Sequence, residues 1–144
     1  PKAQGLNGLE DALDTIIIQI EKALENKNNI IILSDRGVNQ ELAPIPALLA
    51  CSFVNHQLNR LRKRSYFDII IESAEPREPH HFATLFGYGA SAVNPYMVNE
   101  IIRTQVKDGF ITGMDEQRAV DNFNLAIGKG LLKIMNKIGI STLH

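Results

Sequence analysis

The side chains best placed for chemistry in this sequence lie in one stretch. Glu72, Glu75 and Glu78 surround Arg77, and His80 and His81 follow at once. Three carboxylates near one loop raise one another's pKa and form a potential general acid/base set. An arginine among them instead neutralises one by a bidentate pair. The simpler use is an ion-pair network that holds the loop, with Glu72 paired to Arg77 and Glu78 as a further anchor. The histidine pair with Glu78 invites a metal reading. It lacks the i, i+4 histidine spacing of a helical zinc site, and adjacent helical side chains point about 100° apart. One histidine packed and hydrogen-bonded, the other at the surface, is the plainer expectation. A second charged pair, Asp35 and Arg36, falls just past an apolar run, where open α/β sheets keep their functional crevice; it too reads as a structural pair. Gly87-Tyr88-Gly89-Ala90 has a faint phosphate-loop look, without the GxGxxG spacing or the strand-then-glycine order. A helix end and tight turn explain it better. Cys51 stands among Leu49, Ala50 and Phe53, surroundings that disfavour a thiolate and suit a small core residue.

The elements that must position these residues follow from periodicity. Over 9–26, Leu9, Ala12, Leu13, Ile16, Ile17, Ile20, Ala23 and Leu24 recur at helical steps. The β-branched run 30–33 suits a strand covered on both faces, as parallel strands usually are. A helix from about Pro46 to Lys63 takes proline in its first turn, with Leu48, Leu49, Ser52, Phe53, His56 and Leu61 as its buried stripe or flanks. The cations Arg60, Arg62, Lys63 and Arg64 at its end read as solvated and favourable with the helix dipole. Strands follow at 67–72 and 92–94, with a short helix 79–86 between them and another helix over 96–107. The last helix runs from about Asp115 to Lys137, with Val120, Phe123, Ile127, Leu131 and Ile134 on one line. Gly128 and Gly130 weaken it by about 1 kcal/mol each relative to alanine, and they let another backbone approach. Residues 140–143 start one more strand or a loop. The β-α-β-α-β-α order argues parallel pairing. The fold class is α/β: a small open, mostly parallel sheet of about three to four strands with flanking helices, part of a β/α barrel-like arrangement.

Composition bounds the functions. A chain of 144 residues fits one domain with a real core. The net charge of −1 offers no general electrostatic attraction to nucleic acid or an anionic membrane. A single cysteine excludes an internal disulfide and every multi-cysteine metal motif. No apolar run approaches the ~20 residues of a membrane helix, which makes a cytoplasmic protein the default. The chain starts at Pro1 without Met and stops at His144 inside a structured-looking segment, so a piece of something longer is expected.

Chemistry alone reaches only an α/β domain with polar strand ends. The segments ILSDRGV (32–38), APIPALLA (43–50), IIESAEPREPHHFATLFGYGASAVNPY (70–96) and GKGLLKIMNKIGISTL (128–143) together resemble the large (alpha) chain of glutamate synthase. In that family a glutaminase domain with an N-terminal cysteine nucleophile passes ammonia through a tunnel to 2-oxoglutarate. The resulting iminoglutarate is reduced at FMN in a (β/α) barrel that also carries a 3Fe-4S cluster. The resemblance assigns residues 1–127 to the later part of the central domain and 128–144 to the start of the FMN-binding synthase domain, as one compact unit. It implies a scaffold and tunnel wall with no catalytic residue of its own, an isolated piece that is inactive, and FMN and the cluster held elsewhere. The implied partners are the glutaminase and FMN-binding domains and a small reductase subunit or ferredoxin. Carried over by position, Lys137 offers a cation and Ser141 a hydroxyl to 2-oxoglutarate, which suits a dianion. The chain departs from the family pattern at Asn136 and Ile138, at His144, at Asn55-His56-Gln57, and at Ala74-Glu75-Pro76-Arg77-Glu78-Pro79. The alternative is a free-standing, non-catalytic α/β binding module derived from that domain.

Overall fold

A computed structural model describes residues 2–143; the departure at His144 lies outside them. Helix α1 (Gly5–Glu25) leads into strand β1 (Ile30–Ser34). Helix α2 (Ala47–Arg60) crosses to β2 (Asp68–Glu72), and α3 (Pro79–Gly87) crosses to β3 (Ala92–Asn94). Helices α4 (Tyr96–Lys107) and α5 (Glu116–Ile138) complete the chain. The sheet order is β1-β2-β3, all parallel, with Ile31 opposite Ile69 and Ile71 opposite both Leu33 and Val93. Residues 140–143 form no strand, so the sheet among the described residues has three.

One core lies on one face of this sheet. Cys51, Val54 and Leu58 of α2 pack with Ile69 and Ile71 of β2, Leu85 of α3 and Ile20 of α1. Alternation along a strand sends even-numbered residues to the opposite face. There Ile30 and Ile32 are 55% and 60% exposed. This corrects the expectation of a strand covered on both sides. A continuous apolar run reports that both faces are apolar; it does not report whether a second layer covers them. The buried stripe of α2 is Ala47, Ala50, Cys51, Val54 and Leu58, so Cys51 is the core residue expected, whereas the residues named for the stripe or its flanks lie beside it, with Ser52 and Phe53 half-buried. Leu48, Leu49 and Leu61 are exposed, as is His56. Small residues face the sheet here because the helix lies close to it, and the larger leucines flank the contact. In α1 and α5 the stripes read from periodicity match the buried side, with Leu13, Ile20, Val120 and Ile127 buried.

The helix ends share one device. Each α-helix closes with a bond to a carbonyl five residues back, donated by the third residue past the end of α1 to α4 and by the second past α5: Asn28 to Ala23, Lys63 to Leu58, Ala90 to Leu85, Phe110 to Gln105 and Ile140 to Met135. That closure places the intervening residue in the left-handed region. Glycine serves at 89, 109 and 139, whereas Lys27 and Arg62 adopt φ of 60° and 55°. Asp115 caps the start of α5, its Oδ1 accepting from the Arg118 N–H at 2.8 Å. Helix α5 packs on α3 and α4, with Phe82 and Phe123 edge to face at 6.4 Å. It runs without a break across residues 127 and 128.

Candidate functional site

The carboxyl ends of β1 and β2 carry two carboxylates with separate partners. Asp35, one residue past β1, accepts from the Ser73 hydroxyl at 2.6 Å and from the Ala74 N–H at 3.0 Å. Burial pushes its pKa up, but the bonds from Ser73, Tyr96 and Ala74 outweigh this and hold it below 3.8. The Tyr96 phenol is raised in return, first by its bond to Asp35. Glu72, the last residue of β2, accepts from the Ser34 hydroxyl at 2.6 Å and from the Asn94 amide at 3.2 Å. It pairs with Arg36 Nε at 2.9 Å. Bonds from Ser34 and Arg36 depress its pKa. The Arg36 guanidinium lies 4.0 Å over the Tyr96 ring, a cation–π contact. The network ties the ends of all three strands to the start of α4.

Both pairings differ from those read in the sequence: Arg36 pairs with Glu72 and not with Asp35, whose partners are Ser73 and Ala74. Glu72 meets Arg36 instead of Arg77, because both Arg36 and Glu72 project from adjacent parallel strand ends. Arg77 turns away with an exposed side chain, and its backbone N–H donates to His81 Nδ1 at 3.1 Å. The three glutamates do not form one set. Glu75 reaches to the start of α2, where its Oε2 accepts from the Ala47 N–H at 3.0 Å. That first turn has no acidic residue of its own, so the cap comes from another element. Glu78 stands at the start of α3, with its carboxylate 3.4 Å from His81 Nε2. His80 and His81 are both exposed, so neither is packed in the domain. Among the described residues no group of three histidines, cysteines or carboxylates can hold a metal ion.

Lys137 and Ser141, both exposed, sit at the other end of the molecule. Ile138, Ile140 and Thr142 beside them border a cavity of about 710 Å³ together with Asp68 and Ser91. Asp68 opens β2 and Ser91 precedes β3, so this is the amino end of the sheet. The structure therefore separates these two residues from the Asp35 and Glu72 network.

Two further anchors have no signal along the chain. Arg64, grouped above with solvated cations, is half-buried and donates to Asn55 Oδ1 at 2.7 Å, the Phe67 carbonyl at 2.6 Å and the Gly89 carbonyl at 2.8 Å. Lys63 pairs with Glu21 at 2.7 Å. The Gly87-Tyr88-Gly89 stretch is the helix end and turn that Arg64 holds. Cys51 is fully buried, and burial pushes its thiol up to about 11, only partly opposed by Arg64. In the strand-end network Arg36 is paired with Glu72, and the Asp35 carboxylate is taken up by Ser73, the Ala74 N–H and Tyr96.

The family model described as glutamate synthase central domain matches residues 2–144. The chain is 40% identical over 144 residues to the NADH glutamate synthase of Schizosaccharomyces pombe, covering 99% of this chain and 7% of that protein. It is 41% identical to the NADPH glutamate synthase large chain of Bacillus subtilis, covering 94% and 9%. It is 35% identical to ferredoxin-dependent glutamate synthase 2 of Synechocystis, covering 96% and 10%. A parallel α/β unit with its polar groups engaged in anchoring, matched along its whole length by that model, defines the class: this chain belongs to the glutamate synthase central domain family. It spans a tenth or less of the relatives it matches. No helix among the described residues is long and apolar enough to cross a membrane.

Proposed function

We propose that these residues are the central-domain segment of a glutamate synthase, a cytoplasmic enzyme making L-glutamate from L-glutamine and 2-oxoglutarate by ammonia transfer and reduction. The observation that carries this is the match to one family along the whole chain. Within that enzyme the segment is scaffold: it holds the glutaminase and FMN-binding domains in register and walls part of the ammonia path. The closed network of Asp35, Ser73, Arg36, Glu72 and Tyr96 suits this role, since its donors and acceptors serve one another.

Residues 128–144 lead toward the FMN-binding domain, and Lys137 and Ser141 face 2-oxoglutarate there. Their exposure at the amino end of the sheet leaves them accessible to such an anion. The flavin supplies the reducing equivalents when bound. The single buried Cys51 does not fit an iron–sulfur cluster, which needs several thiolates, so the 3Fe-4S site belongs to other residues. Relatives named for NADH, NADPH and ferredoxin share this segment at 35–41% identity. Electron-donor choice, and the reductase subunit or ferredoxin that goes with it, therefore reside elsewhere in the chain.

The test expresses the complete reading frame and the 144-residue chain side by side. Glutamine- and 2-oxoglutarate-dependent glutamate formation, with bound flavin, is expected only of the complete protein. Stoichiometric flavin on the short chain overturns the scaffold role. A reading frame no longer than this chain overturns the assignment to a synthase and favours the free-standing module.

A further inference from the structure

Strand β1 lies at the edge of the sheet, and its backbone pattern shows which groups are open. The Asn29 carbonyl accepts from the Asp68 N–H, and the Asp35 N–H donates to the Glu72 carbonyl. Odd-numbered residues of β1 therefore bond toward β2. In a parallel ladder the two backbone groups of a residue point the same way, and successive residues alternate. Ile30 and Ile32 thus direct their N–H and C=O groups to the free side. An apolar edge left in this state is a template for another strand.

Beside that edge runs a groove of about 620 Å³, bordered by Ile16, Ile20 and Ala23 of α1, by Ile32, and by Val38 and Leu42 of the next loop. Helix α1 packs on α2 and forms one wall of the groove. Chain topology says what belongs there. Helices α2 and α3 both contribute to the core face and carry the chain from β1 to β2 and from β2 to β3. Right-handed crossovers with their helices on one face advance across a sheet in one direction. Helix α1 lies on that same face and delivers the chain to β1. A parallel strand feeding α1 then falls one position behind β1, on its free edge. The direction of the crossovers and the position of the groove are separate observations, and they coincide.

We infer that a segment of the longer chain preceding residues 1–144 forms a strand parallel to β1, bonded to Ile30 and Ile32 and seated in the groove beneath α1. The inference rests on the assignment of these residues to a longer glutamate synthase chain. That strand carries apolar side chains on its core-facing side, where Ile16 and Ile20 meet it. Such a strand takes up about 4.8 Å in the bonding direction.

The experiment is hydrogen–deuterium exchange on the complete protein, read at the amides of Ile30 and Ile32. These are expected to be protected as strongly as those of Ile69 and Ile71 in the central strand. A photo-crosslinking residue in place of Ile32 is expected to label the roughly 20 residues preceding Pro1, a span in keeping with ordinary strand and loop lengths. Fast exchange at Ile30 and Ile32 in a catalytically active protein overturns the strand and leaves the family assignment standing. Crosslinking to a distant domain or to a second copy overturns the chosen occupant. A reading frame with nothing before Pro1 overturns both readings together.

Discussion

Replacing Asp35 by alanine tests whether the strand ends are held by the network described above. Ser73 is 1% exposed, and its hydroxyl gives its proton to Asp35 while accepting from the Glu75 N–H at 3.1 Å. Without the carboxylate that proton has no acceptor, and an unsatisfied buried donor costs about 1–3 kcal/mol. The Ala74 N–H is less buried and recovers a bond to water, so its loss adds roughly 0.5–1 kcal/mol. The expected destabilisation of Asp35→Ala is about 1.5–4 kcal/mol, a fall in Tm of roughly 5–12 °C for a chain of this size. Urea unfolding followed by circular dichroism measures it. Asp35→Asn keeps an acceptor oxygen and loses about half as much.

The pH dependence has a definite sign. The folded pKa of Asp35 lies below 3.8, so as pH falls the unfolded chain takes up its proton first. The contribution of the carboxylate is complete above about pH 5 and is lost as pH falls through the folded pKa. The stability gap between wild type and Asp35→Asn must therefore narrow below about pH 4. A gap that stays constant from pH 7 to pH 2.5, or an Asp35→Ala variant within about 0.5 kcal/mol of wild type, refutes the reasoning.

Two further outcomes follow from close contacts elsewhere. A Cβ at Gly130 meets Pro79 Cγ at 2.5 Å, whereas one at Gly128 meets nothing within 4 Å. Gly128→Ala is expected to raise stability by about 0.5–1 kcal/mol, and Gly130→Ala to lower it by about 1–3 kcal/mol by forcing α3 from α5; thermal melts of the pair decide it. Glu75→Ala removes the cap on the Ala47 N–H and is expected to cost about 0.5–2 kcal/mol, with faster amide exchange confined to the first turn of α2 in an exchange map.

Much of the fold was legible because the signals were local. Helical periodicity over α1 and α5 located their buried sides, the run 92–94 was β3 to the residue, and the glycine stretch 87–89 was a helix end. The chain-wide resemblance supplied the family. Legibility failed where the answer depended on what lies across space. Cys51 was legible as a core residue, but the rest of the α2 stripe was not, because only close packing on β2 favours Ala47 and Ala50 over the leucines beside them. Arg64 was lost among its basic neighbours because its three acceptors come from α2, the start of β2 and the turn before β3.

The charged residues make the same division. That Asp35, Arg36 and Glu72 stand at strand ends followed from the sequence alone, since each ends or follows an apolar run. Which of them pair was decided by register: β1 and β2 lie parallel with Ser34 opposite Glu72, which brings Arg36 to Glu72 and leaves Arg77 outside. Glu75 became a helix cap only when the loop after β2 folded against α2. Periodicity and residue type act within a few residues and can be read along a chain. Hydrogen-bond partners separated by 28 to 39 positions exist only once the sheet has set which strands are neighbours.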